Sequence, residues 1–347
     1  VSIEGMVALV VALGLVFTYT NGFQDGSSVA ASAIASRGLT RTQTILLVST
    51  FELLGALLGG SAVAGTIANV STWPADPTLL PVLASALAAA IFWNYMTRLL
   101  GVPSSSTHAL IGGLLGAVLA GSGSFHYIQL GNVGGLVNAT GLSRIIISLF
   151  MSPLCGFAVG YVVLILSVLL LRRASNEVND LLKKAQWFAV PLLAFGHGAN
   201  DSQKTMGLIV LALYSAGLGS RDQVPFWVRA LTGITLALGV VSLAPRIVKR
   251  VGGIYPMRPL HGLVAEASSG LIVLIASLTG GPLAASQVIA STVIGVGTAE
   301  RKKGVQWVIA REMVRAWCLT IPSAGIVAFI FYSLIFRHLS NFASVGH

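Results

Sequence analysis

Gly196-His197-Gly198-Ala199-Asn200-Asp201-Ser202-Gln203-Lys204-Thr205 sets a carboxylate, a lysine and several small polar side chains between two apolar runs, Trp187 to Phe195 and Met206 to Leu213. Both flanks read as lipid-embedded helix, so the stretch marks a place where something polar is handled inside a membrane. A second version lies near the start, Asn21-Gly22-Phe23-Gln24-Asp25-Gly26-Ser27-Ser28, again between apolar runs. Aligning Gln24-Asp25 with Asn200-Asp201 gives an offset of 176, about half of the 347 residues. The chain reads as a duplication.

Composition agrees. Hydrophobic residues make up 55%, charged residues 9%, and the mean hydropathy is +0.85. A soluble domain carries about 25% charged residues, so this is an integral membrane protein. Several apolar runs reach the roughly 18 residues of a spanning helix, and no alternating strands of about 10 residues suggest a barrel. The net charge of +10 does not gather on one arm or helix face, which argues against a nucleic-acid partner. The first run, Met6 to Thr18, lacks a basic leader and leads into the Asn21 motif, so it reads as a membrane segment and not as a signal peptide. Cys155 and Cys318 stand alone in apolar sequence, which indicates neither a disulfide framework nor a metal site.

The apolar pattern predicts an all-α fold of two repeats, each with about five membrane-spanning elements. The first repeat covers 1–171, a charged cytoplasmic linker 172–186, and the second repeat 187–347. In each repeat a long segment holds the Asp motif, and a later Pro-containing turn leads into a short apolar element. These turns are Gly101-Val102-Pro103-Ser104-Ser105-Ser106-Thr107-His108 and Gly280-Gly281-Pro282-Leu283-Ala284-Ala285-Ser286-Gln287, offset by 179. Five is odd, so the repeats are expected to be inverted relative to each other. Arg37, Arg41, Arg98, Arg172, Arg173, Lys183, Lys184, Arg246, Lys249, Arg250, Arg258, Arg301, Lys302 and Lys303 then fall on one side, 14 of the 21 basic residues. That side is cytoplasmic by the positive-inside rule, which puts both termini outside a cell membrane. Inverted repeats with interrupted helices are a mark of secondary transporters whose sites lie near the midplane.

Of the 11 carboxylates, Asp25, Glu52, Asp201 and Glu266 lie within apolar segments. A central charge costs at least about 2.5 kcal/mol, which calls for function or a buried partner. Breaks are expected at both Asp motifs, because a broken helix offers carbonyls for a cation at one new end and amides for an anion at the other. Gly26-Ser27-Ser28, Ser202-Gln203, Ser104-Ser105-Ser106-Thr107 and Ser286-Gln287 are then helix starts suited to a tetrahedral oxyanion. Serine back-bonding inside membrane helices is the competing explanation. His108 reads equally as an interior histidine or a ligand. Lys204 either balances Asp201 or approaches the anion.

Gly-His-Gly-Ala-Asn-Asp at 196–201, its diverged copy Asn21 to Asp25, and Gly-Val-Pro-Ser-Ser-Ser-Thr-His at 101–108 closely resemble the signatures of the inorganic phosphate transporter (PiT) family, over essentially the full chain. The resemblance implies a secondary transporter that imports phosphate with sodium or protons, works as a homodimer and is not an enzyme. No cofactor is implied beyond sodium as a co-transported ion. Carried over, Asn21, Asp25, Asn200 and Asp201 serve sodium. Gly26, Ser27, Ser104, Ser105, Ser106, Thr107, Ser202, Gln203, Ser286 and Gln287 serve phosphate, while Glu52, Glu266, Lys204 and His108 are coupling or structural residues. Phe23-Gln24 departs from the usual Ala-Asn, and Ser286-Gln287 follows a turn without the usual Ser-Thr-Thr-His, so an asymmetric site is expected. Proton coupling, sulfate as substrate and an anion channel remain the alternatives.

Overall fold

A computed structural model describes residues 2–102, 104–133, 139–175 and 177–336. Pro103 and residues 337–347, which the sequence reading places in a Pro-containing turn and at the end of the second expected repeat, lie outside them. Twelve α-helices are present among the described residues. The first half runs α1 (Ile3–Ala35), α2 (Arg41–Leu58), α3 (Ala62–Ala68), α4 (Leu79–Leu100), α5 (Ser106–Ser122) and α6 (Gly141–Leu171). The second runs α7 (Val178–Ser215), α8 (Phe226–Val241), α9 (Pro245–Gly252), α10 (Pro259–Thr279), α11 (Ala285–Arg301) and α12 (Trp307–Phe331). Five of these are long and apolar enough to cross a membrane, or seven elements if each bent pair is one span.

The two halves share one order. Each has a long motif helix, a bent pair, a spanning helix, a short helix and a long outer helix. The bends are 69° between α2 and α3 and 76° between α8 and α9. Helices α4 and α10 end on left-handed glycines, Gly101 (φ 65°) and Gly280 (φ 77°), the conformation that an achiral residue adopts without strain. Extended caps at Ser105 and Ala284 then open α5 and α11. The packing also recurs across halves: α1 on α8 and α7 on α2, α6 on α11 and α12 on α5.

The expected breaks at the Asp motifs are not there. Both α1, 33 residues long, and α7, 38 residues long, run through them as continuous helix. The motif glycines serve close approach instead. A methyl on Gly198 would meet the α2 backbone at Glu52 Cα, 2.5 Å away, and one on Gly26 would meet Val240 Cγ2 of α8 at 2.8 Å. Helix α7 begins at Val178, within the stretch 172–186 expected to be linker. The breaks fall instead inside the bent pairs, where side chains from the motif helices close the exposed backbone. Gln203 Oε1 accepts from Val63 N (2.8 Å) and Ala64 N (3.2 Å) at the start of α3, and its amide donates to Gly59 O (3.1 Å). Ser27 Oγ, 176 residues earlier, accepts from Ala244 N at 2.8 Å before α9. Each half thus seals the bend of the other.

Candidate functional site

The middle of α1 and α7 and the starts of α5 and α11 meet in one buried polar cluster. Asn21, Asp25, Asn200, Asp201, Lys204, Ser104, Ser105, Ser106, Thr107, Ser286 and Gln287 are all at most 2% exposed. Side chains of this polarity survive in a membrane interior only by satisfying one another or a ligand.

Around Lys204 the satisfaction is complete. Lys204 Nζ donates to Asp201 Oδ1 (2.6 Å), Thr107 Oγ1 (2.6 Å) and the Leu283 carbonyl (2.7 Å). An ammonium has three N–H donors, so every one is used. Asp201 Oδ2 accepts from Asn21 Nδ2 at 3.0 Å. His197 Nε2 lies 3.4 Å from the same oxygen, at ion-pair distance but without hydrogen-bond geometry, while its Nδ1 is 2.7 Å from Glu52 Oε1. Of the two contacts considered for Lys204, the one present is the ion pair with Asp201.

The other side is open. Asp25 Oδ1, Asn21 Oδ1, Asn200 Oδ1, Glu52 Oε2 and Ser28 Oγ have no hydrogen-bond partner. Asp25, His197 and Asp201 each present a ligand atom within 4.8 Å of the others, and Ser286 of α11 faces Asp25. Most of these free atoms are acceptors, and a cluster of unpaired oxygen acceptors calls for a cation.

The starts of α5 and α11 abut. Ser286 Oγ donates to Ser104 O (3.3 Å), and Gln287 Nε2 is 3.3 Å from His108 Nδ1. Ser105 caps α5 by accepting from His108 N at 3.2 Å, and Ser106 Oγ is unpaired. Two helix starts directed at one region supply free amides and favour negative charge.

Not every candidate joins the cluster. Ser27 and Gln203 are committed to the bends described above, Ser202 Oγ donates back to Gly198 O (2.6 Å), and Gly26 packs against α8. Asn200 Nδ2 donates to Gly281 O at 2.9 Å, which fixes the turn before α11. Glu266 of α10 is fully buried beside Ser32, seven residues beyond Asp25 on α1 and hence about 10 Å along it. Both Glu266 oxygens lack a hydrogen-bond partner. His197 was not singled out by the sequence reading. Its signal is the i, i+4 spacing to Asp201, which puts both side chains on one helix face.

The chain was compared with known proteins. A family model described as the phosphate transporter family matches residues 21–328. A "Probable low-affinity inorganic phosphate transporter" of Rhizobium meliloti is 35% identical, over 93% of this chain and 94% of the relative. One of the same description from Bacillus subtilis is 32% identical, over 94% and 97%. A solved structure described as "The sodium-dependent phosphate transporter" superposes with a TM-score of 0.81 at 23% identity, covering 95% of this chain and 99% of that one, a likeness of fold. Relatives and family are transporters, not enzymes. With its buried polar cluster and its multi-pass helical fold, the chain belongs to the phosphate transporter family.

Proposed function

We propose that this protein imports inorganic phosphate by symport with sodium. The observation that carries the reading is the meeting of two helix starts, α5 and α11, with a carboxylate cluster in which Asp201 is neutralised by Lys204 and Asp25 is not. Phosphate would sit at the helix starts, against the amides after Ser105 and Ala284, with Ser106 Oγ as a free hydroxyl donor. Asp25 would repel it. A sodium ion bound by Asp25, Ser28 and the Asn21 carbonyl oxygen removes that repulsion, so each ion lowers the desolvation cost of the other. Coupling is then electrostatic, and loss of sodium to the cytoplasm releases the anion.

The repeated element order and the alternating basic loops support two inverted repeats, 1–171 and 187–347, with both termini on the outer face. The outer helices α6 and α12 carry long exposed apolar faces, which suit the interface of a homodimer. The test is uptake of labelled phosphate into vesicles with and without an inward sodium gradient, with sulfate as competitor. Gradient-stimulated uptake resistant to sulfate is the expected result. Uptake indifferent to sodium would remove the symport reading, and equal competition by sulfate would remove the substrate assignment.

A further inference from the structure

We propose that Lys204 is a tethered cation: its ammonium fills the repeat-related counterpart of the position that a mobile cation takes beside Asp25, so this cluster takes one exchangeable cation and not two. The inference rests on the sodium reading above and refines it.

The two positions are built alike. The offsets of 176 and 179 pair Asp201 with Asp25, Thr107 with Ser286, and Leu283 with Ser104. Their contacts recur. Thr107 Oγ1 donates to Leu283 O at 3.2 Å, and Ser286 Oγ donates to Ser104 O at 3.3 Å. Asn200 Nδ2 holds Gly281 O at 2.9 Å, and its counterpart Gln24 Nε2 reaches Val102 O at 3.4 Å. Each position therefore offers a carboxylate, a hydroxyl and a backbone carbonyl, the oxygen set of a hard cation.

The occupants differ. In the Asp201 position the three oxygens surround Lys204 Nζ at 2.6–2.7 Å. The residue paired with Lys204 by the 176 offset is Ser28, whose Oγ has no partner, and Asp25 Oδ1 has none either. A serine is too short to place a charge among those oxygens, so the Asp25 position is short of one positive charge that its counterpart possesses. A cation from solution completes it, with Ser28 Oγ as a further ligand. Next to Asp201 a second mobile cation is excluded, since the ammonium uses the same oxygens and repels like charge.

The test is the sodium dependence of phosphate uptake by the intact protein in vesicles, at constant ionic strength with choline as the replacement, for the natural chain, Lys204→Ser and Ser28→Lys. The natural chain is expected to show a Hill slope of about one and Lys204→Ser a slope approaching two, because the slope is bounded by the number of sites. Ser28→Lys is expected to lose sodium dependence. A slope near two in the natural chain overturns the proposal whether or not the variants fold. An unaltered slope in a folded Lys204→Ser protein that still takes up phosphate also overturns it. Should the natural chain ignore sodium, symport with sodium fails by itself. Lys204→Ser is then still expected to gain sodium-dependent protection against heating in the presence of phosphate, and absence of that gain overturns the tethered cation.

Discussion

Replacing Gln203 with leucine keeps the volume of the side chain near its present value and removes every polar contact that this side chain makes at the α2–α3 bend. Three backbone groups then lose their partner: the Val63 and Ala64 amides and the Gly59 carbonyl. A buried group left unsatisfied costs about 1–3 kcal/mol. Val63 and Ala64 are at most 1% exposed, while Gly60 next to the bend is exposed, so the groups lie at the edge of the packed interior. The lower end applies to each group, giving about 3 kcal/mol in total. Ser27→Ala removes one acceptor, from Ala244 N, and is expected to cost about 1 kcal/mol. Thermal unfolding of the detergent-purified protein, followed by tryptophan fluorescence, should therefore rank natural chain above Ser27→Ala above Gln203→Leu. The sealing role predicts a stability loss greater than the loss of phosphate affinity. A Gln203→Leu protein with an unchanged unfolding midpoint and a raised phosphate requirement would refute it and return Gln203 to the phosphate site.

Glu52→Gln removes the charge beside His197 in a fully buried pair, and breaking such a pair costs about 3–5 kcal/mol. Reduced uptake together with a lowered unfolding midpoint is expected, and a midpoint equal to that of the natural chain would count against the pair. Gly198→Ala pushes a methyl into the α2 backbone, so folded protein should be recovered poorly, measured as the monodisperse fraction in gel filtration. Ser105→Ala removes the cap on His108 N. It should raise the KM for phosphate with a stability loss of only about 1 kcal/mol, read from uptake kinetics and the melting midpoint together.

The two Asp motifs were legible because Asp25 and Asp201 are charges in apolar sequence, and such residues announce themselves in any hydropathy reading. The two glycine turns were legible for a similar reason, since a left-handed cap leaves glycine as its mark at Gly101 and Gly280. What failed was the inference from a polar motif to a helix break. Gly22 and Gly198 lie in unbroken helix against neighbouring backbones and Gly26 against the Val240 side chain, and a sequence does not distinguish a glycine that ends a helix from one that admits a neighbour. The roles of Ser27, Gln203 and Lys204 were hidden for a different reason. Each makes its contacts with atoms in the opposite half, such as Ala244 N, Val63 N and Thr107 Oγ1, and no local pattern carries that information.

The exchange of partners between halves has a consequence for biosynthesis. Asp25 and Glu52 enter the membrane early, whereas His197, Asp201 and Lys204 are made well over a hundred residues later. Until then the nascent first half holds two carboxylates without their basic neighbours, and the start of α9, which Ser27 will cap, does not exist. The first half alone thus leaves buried carboxylates without partners from α7, and truncations after α6 are expected to be recovered poorly. Completion of α7, residues 178–215, is the moment at which Glu52 meets His197, while Asp25 still lacks a cation of its own.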